Sequence, residues 1–293
     1  MNWECLRSDE MAAAIEKSGG LCVLPIGCME RHGPHMPLGT DSLQAKTHVE
    51  LAAEMEDVVV FPTTMWLGDM CGVKGHPRGA ELNHGAISLN PHTLLTVLEE
   101  LCDEIARNGF RKILIVNCHG GNIYLLNYFF SIQSHKIKNY ATMRTNSYDN
   151  VICNADLIYE HFLENRKDYP MLTDSDMEVL KGFAQREDGF GGGHAHFMET
   201  AWMMGAYPEL IATDRFELES GYSTGRSDYL SKIGVSIERA WSANFPYAYD
   251  GHPSTGCTET IGQAFNLYSA RRLANIFKVL KEDEECVKIA TGQ

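Results

Sequence analysis

Apolar positions along the chain fall into short continuous runs and helical stripes that alternate. Leu21-Cys22-Val23-Leu24-Pro25-Ile26-Gly27 is a run of strand length, and Pro25 inside it predicts an edge strand or a strand that ends there. Thr40 or Asp41 is placed to cap a helix running through Ala45, Val49, Leu51 and Ala52. Val58-Val59-Val60-Phe61 predicts a second strand, stopped by Pro62. Asn90-Pro91 then opens a long stripe through Leu94, Leu95, Leu98, Leu101, Cys102 and Ile105, with Asn90 as cap and Gly109 as stop. Lys112-Ile113-Leu114-Ile115-Val116-Asn117 is a β-branched run suited to a strand covered on both faces. Asn122 is positioned to cap the next helix, through Leu125, Leu126, Phe129 and Ile132.

The pattern loosens from residue 149 to 193, around Tyr169-Pro170 and the Gly189 to Gly193 cluster, and predicts an excursion or lid. A last helix runs from about Thr258 through Ile261, Ala264, Leu267, Leu273, Ile276 and Leu280. Strands alternating with helical stripes argue for βαβ units around a mainly parallel sheet, an α/β fold. At roughly 150 residues per domain, 293 residues suggest about two domains. No repeat, low-complexity tract or linker divides the chain, so residues 1–293 are expected to form one domain.

Composition narrows the function classes. Hydrophobic residues are 44% and charged residues 22%, as in a globular chain rather than a disordered or fibrous one. Against 25 Lys and Arg stand 39 Asp and Glu, a formal net charge of −14, which disfavours nucleic-acid partners. No run approaches the roughly 18 apolar residues of a membrane span. The first ten residues lack the basic start and apolar run of a secretory signal. The nine cysteines form no Cys-x-x-Cys pair, and Cys22, Cys102 and Cys118 sit in apolar segments, so reduced thiols and a cytoplasmic address are expected.

Three segments concentrate metal-type ligands. The first is Glu30-Arg31-His32-Gly33-Pro34-His35-Met36-Pro37-Leu38-Gly39-Thr40-Asp41, directly after the first strand. Glu30 and His32, two apart, share a face of an extended backbone, and the turn between can fold Asp41 back towards them. The second, Asn117-Cys118-His119-Gly120-Gly121-Asn122, ends the third predicted strand, so His119 emerges at the same sheet edge. The third is Gly191-Gly192-Gly193-His194-Ala195-His196-Phe197-Met198-Glu199-Thr200. Imidazole nitrogens with carboxylate oxygens suit zinc, manganese or iron rather than calcium. Glu30, Asp41 and His119 could hold one divalent ion, and His32, Asp41 and Glu199 a second, with Asp41 bridging. Such a pair activates a water and polarises a carbonyl without a Ser or Cys nucleophile. His48, His92, His135 and His161 fall on helical patterns and read as packing or surface positions.

These residues are similar to a known family. The first segment resembles the creatininase (creatinine amidohydrolase) signature Glu-x-His-Gly-Pro-His-Leu-Pro-Leu-Gly-Thr-Asp, departing only at Met36. His119-Gly120-Gly121-Asn122 resembles the family's second motif, and His194-Ala195-x-x-x-Glu199-Thr200 its third; element order fits from about residue 20 to 280. The resemblance implies a three-layer α/β/α fold, homohexamers, and two divalent metal ions per subunit. It also implies Glu30, Asp41 and His119 on one ion, His32, Asp41 and Glu199 on the other, and His194 as the acid/base residue. Some members carry a metal-binding acid where this chain has Gly121, so Glu199 bears more of the second site.

Two departures leave the substrate open. The stretch from Gly68 to Leu89 differs from the usual Ser-x-Glu-His and Phe-Pro-Gly-Thr-Ile-Ser-Leu elements, and makes Lys74, His76, Arg78 and His84 pocket candidates. His196-Phe197 stands where Gly-Glu is common and is expected to line the pocket too. The expected activity is hydrolysis of a C–N amide bond in a small cyclic amide, formamide or similar substrate. The alternatives are a peptidase or deformylase of the same family, or a non-catalytic metal-binding protein of the fold. A phosphoesterase fits less well, since only Arg31 and Arg78 stand near the ligand segments.

Overall fold

The computed structural model describes residues 1–70 and 84–293, so the candidates Lys74, His76 and Arg78 lie outside the described residues. In chain order come α1 (Met11–Lys17), β1 (Leu21–Ile26), α2 (Thr40–Met55), β2 (Val59–Val60), α3 (Pro91–Arg107), β3 (Lys112–Asn117), α4 (Asn122–Gln133) and β4 (Ala141–Asn146). Then follow α5 (Asn150–Cys153), α6 (Ala155–Glu164), α7 (Asp174–Ala184), α8 (Phe197–Ala206), α9 (Asp228–Ser231), α10 (Ala240–Asn244), α11 (Glu259–Glu282) and α12 (Glu285–Thr291).

Among the described residues the strands form one sheet in the order β2-β1-β3-β4, and every pairing is parallel. Strand side chains alternate between two faces. Cys22, Leu24, Ile26, Ile113 and Ile115 pack on one face with Leu94, Leu98, Cys102 and Ile105 of α3 and with Leu125 and Phe129 of α4. Leu21, Val23, Leu114 and Val116 pack on the other with Val49 and Ala52 of α2 and with Ala270, Leu273 and Phe277 of α11. The result is a three-layer α/β/α arrangement, and it explains why β1 and β3 read as unbroken apolar runs: both faces are covered.

Of the two readings of Pro25 the edge placement is wrong, because β1 is central, and the strand end holds, because β1 stops at Ile26. Phe61 N–H donates to Val23 O on the β2 side, whereas Cys118 N–H donates to Ile26 O on the β3 side. Pro25, in phase with Val23, turns its missing N–H towards β2, which has already ended at Val60. Proline therefore costs no ladder hydrogen bond here.

The caps are partly as expected. Asn90 caps α3 by accepting from His92 N–H at 2.9 Å, with Pro91 in the first turn. Thr258 caps α11 by accepting from Ile261 N–H. Thr40, Asp41 and Asn122 are not caps; Gly39 and Gly121 hold those positions. Each of the three side chains is engaged elsewhere: Thr40 on Pro37 O, Asp41 on two imidazoles, and Asn122 on Gly27 O and Asn117 Oδ1.

The stretch 149–193 is not a lid. Its helices α5, α6 and α7 bury Ile152, Ile158, Phe162, Leu180 and Phe183 against Trp202 of α8 and Ile261 and Phe265 of α11. They are 4, 10 and 11 residues long. An apolar stripe that short ends before its period becomes readable, and caps such as Thr173, in a reciprocal pair with Asp176, interrupt it.

Candidate metal centre

The sheet order places the site. From β1 the chain moves to β2 on one side, then returns to β3 and β4 on the other, which makes the carboxyl ends of β1 and β3 a topological switch point. Glu30 and His32 lie on the loop leaving β1, and His119 lies just beyond β3. Asp41 sits in the first turn of α2, drawn close because Gly27 has no side chain: a Cβ there would lie 2.4 Å from Ser42 N. Glu199 is in the first turn of α8, and His194 on the loop before it. His35 ties the first and third segments together, its Nε2 3.0 Å from Thr200 Oγ1.

Glu30, His32, Asp41, His119 and Glu199 converge, each nine-tenths or more buried. Asp41 lies between the imidazoles, with Oδ1 3.1 Å from His32 Nε2 and Oδ2 2.9 Å from His119 Nδ1. Glu30 Oε1 is 3.0 Å from His119 Nδ1, and Glu199 Oε2 is 3.8 Å from His32 Nε2. The outer nitrogen of each imidazole faces a backbone carbonyl: His119 Nε2 stands 2.8 Å from Asp69 O, and His32 Nδ1 stands 3.3 Å from Glu30 O. A carbonyl only accepts, so those nitrogens carry the proton, and the inner nitrogens of neutral rings aim lone pairs at carboxylate oxygens. Such an arrangement repels itself unless a cation or proton sits between. Glu30 Oε1 is buried without a well-directed hydrogen-bond partner. Carbonyl-anchored imidazoles are the usual outer support of a metal site, and donor atoms of His32, Asp41 and Glu199 lie within 4.8 Å of one another. The residues fit divalent ions.

The electrostatics agree. Burial alone would lower the His32 pKa, but Asp41, Glu199 and Glu30 outweigh it and raise it to about 10. His119 is raised in the same way against burial, by Cys28, Glu30 and Asp41. Burial raises Glu199 to about 7, while His32 and His119 overcome burial at Asp41 and hold it well below the usual range. Three buried carboxylates thus demand positive charge, as protons or as ions.

His194 joins the group. Its Nε2 is 2.8 Å from Arg31 O, and its Nδ1 is 3.7 Å from Glu30 Oε1. Burial lowers its pKa. Ala195, at φ +60°, turns the backbone so that its N–H donates to Glu199 Oε2 at 2.5 Å, coupling His194 and Glu199 across one turn. A cavity of about 400 Å³ opens over Glu30, Asp41, His119, His194 and Glu199.

Its other walls were not foreseen. Tyr124 of α4 and Glu238, Trp241, Ser242 and Asp250 line it. The Trp241 ring meets the His194 ring edge-on at 5.2 Å, and Asp250 pairs with His194 through the backbone, its N–H donating to His194 O at 2.8 Å and its O accepting from His194 N–H at 3.1 Å. Trp241 sits on the five-residue α10, too short to show a period. His196 and Phe197 do not line the cavity. Phe197 packs on Phe183 and Phe190 in the core, and His196 is buried beside Phe190. His84 is exposed and lies outside the lining. Arg31 is engaged by Glu219 and Tyr247 O, which removes it as a free phosphate ligand. His48 is buried rather than at the surface, 3.0 Å from Asn266 Oδ1.

Comparison with known proteins finds relatives in sequence and in fold. The family model described as creatinine amidohydrolase (Creatininase) matches residues 4–277. Creatinine amidohydrolase of Pseudomonas putida is 26% identical over 208 residues, 70% of this chain and 72% of that one. The mycofactocin precursor peptide peptidase of Mycobacterium tuberculosis (strain CDC 1551 / Oshkosh) is 33% identical over 112 residues, 34% of this chain and 41% of its own length. A crystal structure of creatinine amidohydrolase superposes with a TM-score of 0.69 at 16% identity, covering 96% of this chain and 98% of its own.

Proposed function

The chain belongs to the creatininase family of amide C–N hydrolases, and on that premise we propose that it hydrolyses a C–N amide bond in a small substrate, a cyclic amide or a formamide, with two divalent ions. Glu30, Asp41 and His119 would hold one ion, and His32, Asp41 and Glu199 the other. The observation that carries the reading is the pair of imidazoles whose outer nitrogens are tied to carbonyls while their inner nitrogens face one shared carboxylate, Asp41.

When bound, the ions supply an activated water and polarise the scissile carbonyl. The protein supplies the rest. Asp69 O and Glu30 O fix the ring orientations of His119 and His32. Gly193, Trp241 and Asp250 shape the cavity on the His194 side, with the His194 backbone paired to that of Asp250. His194, kept neutral by burial, holds its Nε2–H against Arg31 O and turns the Nδ1 lone pair to the cavity, so it is placed to take a proton from the attacking water and then hand it to the departing nitrogen. A 400 Å³ space accommodates a small molecule or the end of a peptide, not a folded protein.

The test is turnover of a panel of lactams, formamides and short C-terminal peptides by protein loaded with manganese, zinc or iron(II). Hydrolysis of a lactam or formamide supports the reading. Hydrolysis of peptides alone moves the assignment to the peptidase branch, and no turnover with any metal defeats it.

Self-association, to a homohexamer as the family implies, is part of the same reading. Tyr124 and Tyr128, one turn apart on α4, are 75% and 60% exposed and offer an aromatic face beside the cavity. Sedimentation should give a mass several times 32.8 kDa.

A further inference from the structure

The metal centre contains one side chain that the five candidate ligands leave unexplained. Cys28, two residues beyond β1, is fully buried, and its Sγ lies 3.0 Å from Asp41 Oδ2. That oxygen also faces His119 Nδ1. One donor atom each from Cys28, Glu30, Asp41 and His119 lies within 4.8 Å of the others. Independently, Glu30, nine-tenths buried, keeps Oε1 without a directed partner at the same place.

A buried cysteine ordinarily behaves as a small hydrophobe, as Cys257 does in the cluster around α6, α7 and α8. Cys22 and Cys102 sit in the apolar cluster between the sheet and α3. Cys28 belongs to neither hydrophobic face; its thiol stands among two carboxylates and an imidazole. Gly121 in the second motif brings no acidic ligand. A Cβ there would meet both Asp69 O and His119 Nε2 at 2.5 Å, so the site takes no side chain at that point.

We propose that Cys28 is a fourth protein donor to the ion held by Glu30, Asp41 and His119, and that its sulfur makes this position prefer zinc, cobalt(II) or iron(II) over manganese and magnesium. The inference rests on the metal-centre reading above. A thiolate is a soft donor, favoured by those ions and poorly matched to manganese or magnesium. Ligation exchanges the S–H bond for a sulfur–metal bond and releases one proton to solvent, with no change of oxidation state.

The full-length protein, stripped with chelator and titrated anaerobically with cobalt(II), separates the possibilities. Visible d–d absorption reports cobalt in the site, and a near-ultraviolet charge-transfer band reports sulfur on cobalt. The parent should show both. Cys28→Ser should keep the visible bands and lose the near-ultraviolet one, and its zinc-over-manganese preference, by competition, should fall by at least about tenfold. Visible bands without the charge-transfer band in the parent overturn the proposal and leave the metal centre standing. So does a charge-transfer band that survives in both Cys28→Ser and Cys28→Ala. Absence of both bands at saturating cobalt overturns the centre and the proposal together. The parent spectrum decides even where a variant fails to fold.

Discussion

The ring of His194 stands 4.3 Å from the ring of His32, tilted by 34°, and each ring has one nitrogen turned to a backbone carbonyl of the first segment. The two differ in what the other nitrogen meets. His32 Nε2 has Asp41 at 3.1 Å, whereas His194 Nδ1 has Glu30 Oε1 at 3.7 Å and His194 lines the cavity. On the proposed reading the first holds an ion and the second exchanges a proton. His194→Ala should lower kcat by about 10²–10⁴-fold with metal content unchanged. Loss of a metal on elemental analysis would make His194 a ligand, and an unchanged kcat would make it structural.

Asp41 is the shared carboxylate, one oxygen on each imidazole. Asp41→Ala is therefore expected to release both ions, and His32→Ala mainly one. Metal-to-protein ratios after desalting in chelator-free buffer check this; equal ratios in the Asp41 variant and the parent would end the bridging assignment.

Gly121 is helix-compatible in its backbone yet sterically closed. Gly121→Ala would push a methyl group into the His119–Asp69 contact, whose loss is expected to weaken metal affinity by about 10–100-fold. The measurement is a competition titration against a chromophoric chelator. An unchanged affinity would show that the carbonyl does not orient His119.

His48 gives a pH dependence away from the centre. Burial depresses its pKa from 6.5 to about 4, with Asn266 its one hydrogen-bond partner. The unfolded chain takes up a proton near pH 6.5 that the folded one refuses, so this contribution is complete above pH 6.5 and is lost as pH falls towards 4. Across that window it amounts to about 3 kcal/mol. Urea denaturation of the parent and of His48→Gln at several pH values should give a shallower slope for the variant; parallel slopes would refute the assignment.

The layers were legible in the sequence because burial on two faces leaves a direct mark. β1 and β3 are unbroken apolar runs, and α3 has an asparagine cap, a proline start and a glycine stop. β4 left no such mark: it is a half-exposed edge strand, Ala-Thr-Met-Arg-Thr-Asn, with only Ala141 buried. Local rules place caps at Thr40, Asp41 and Asn122 because they see a polar residue at a helix start. They do not see that Asp41 meets His119, 78 residues away, or that Asn122 meets Gly27, 95 residues away.

Residue identity and order determined which side chains are the candidates for the chemistry: Glu30, His32, Asp41, His119, His194 and Glu199 stand in three motifs that follow strand ends or a glycine run. Only the tertiary structure decided that Asp41 lies between the two imidazoles, that Cys28 faces the same point, and that Trp241 and Asp250 close the cavity around His194. Ligand type is a property of single residues and short spacings, which a sequence displays. Convergence depends on the parallel pairing of β1 with β3 and on the packing of α2 and α8 over their ends, contacts between segments distant in the chain that no local pattern encodes.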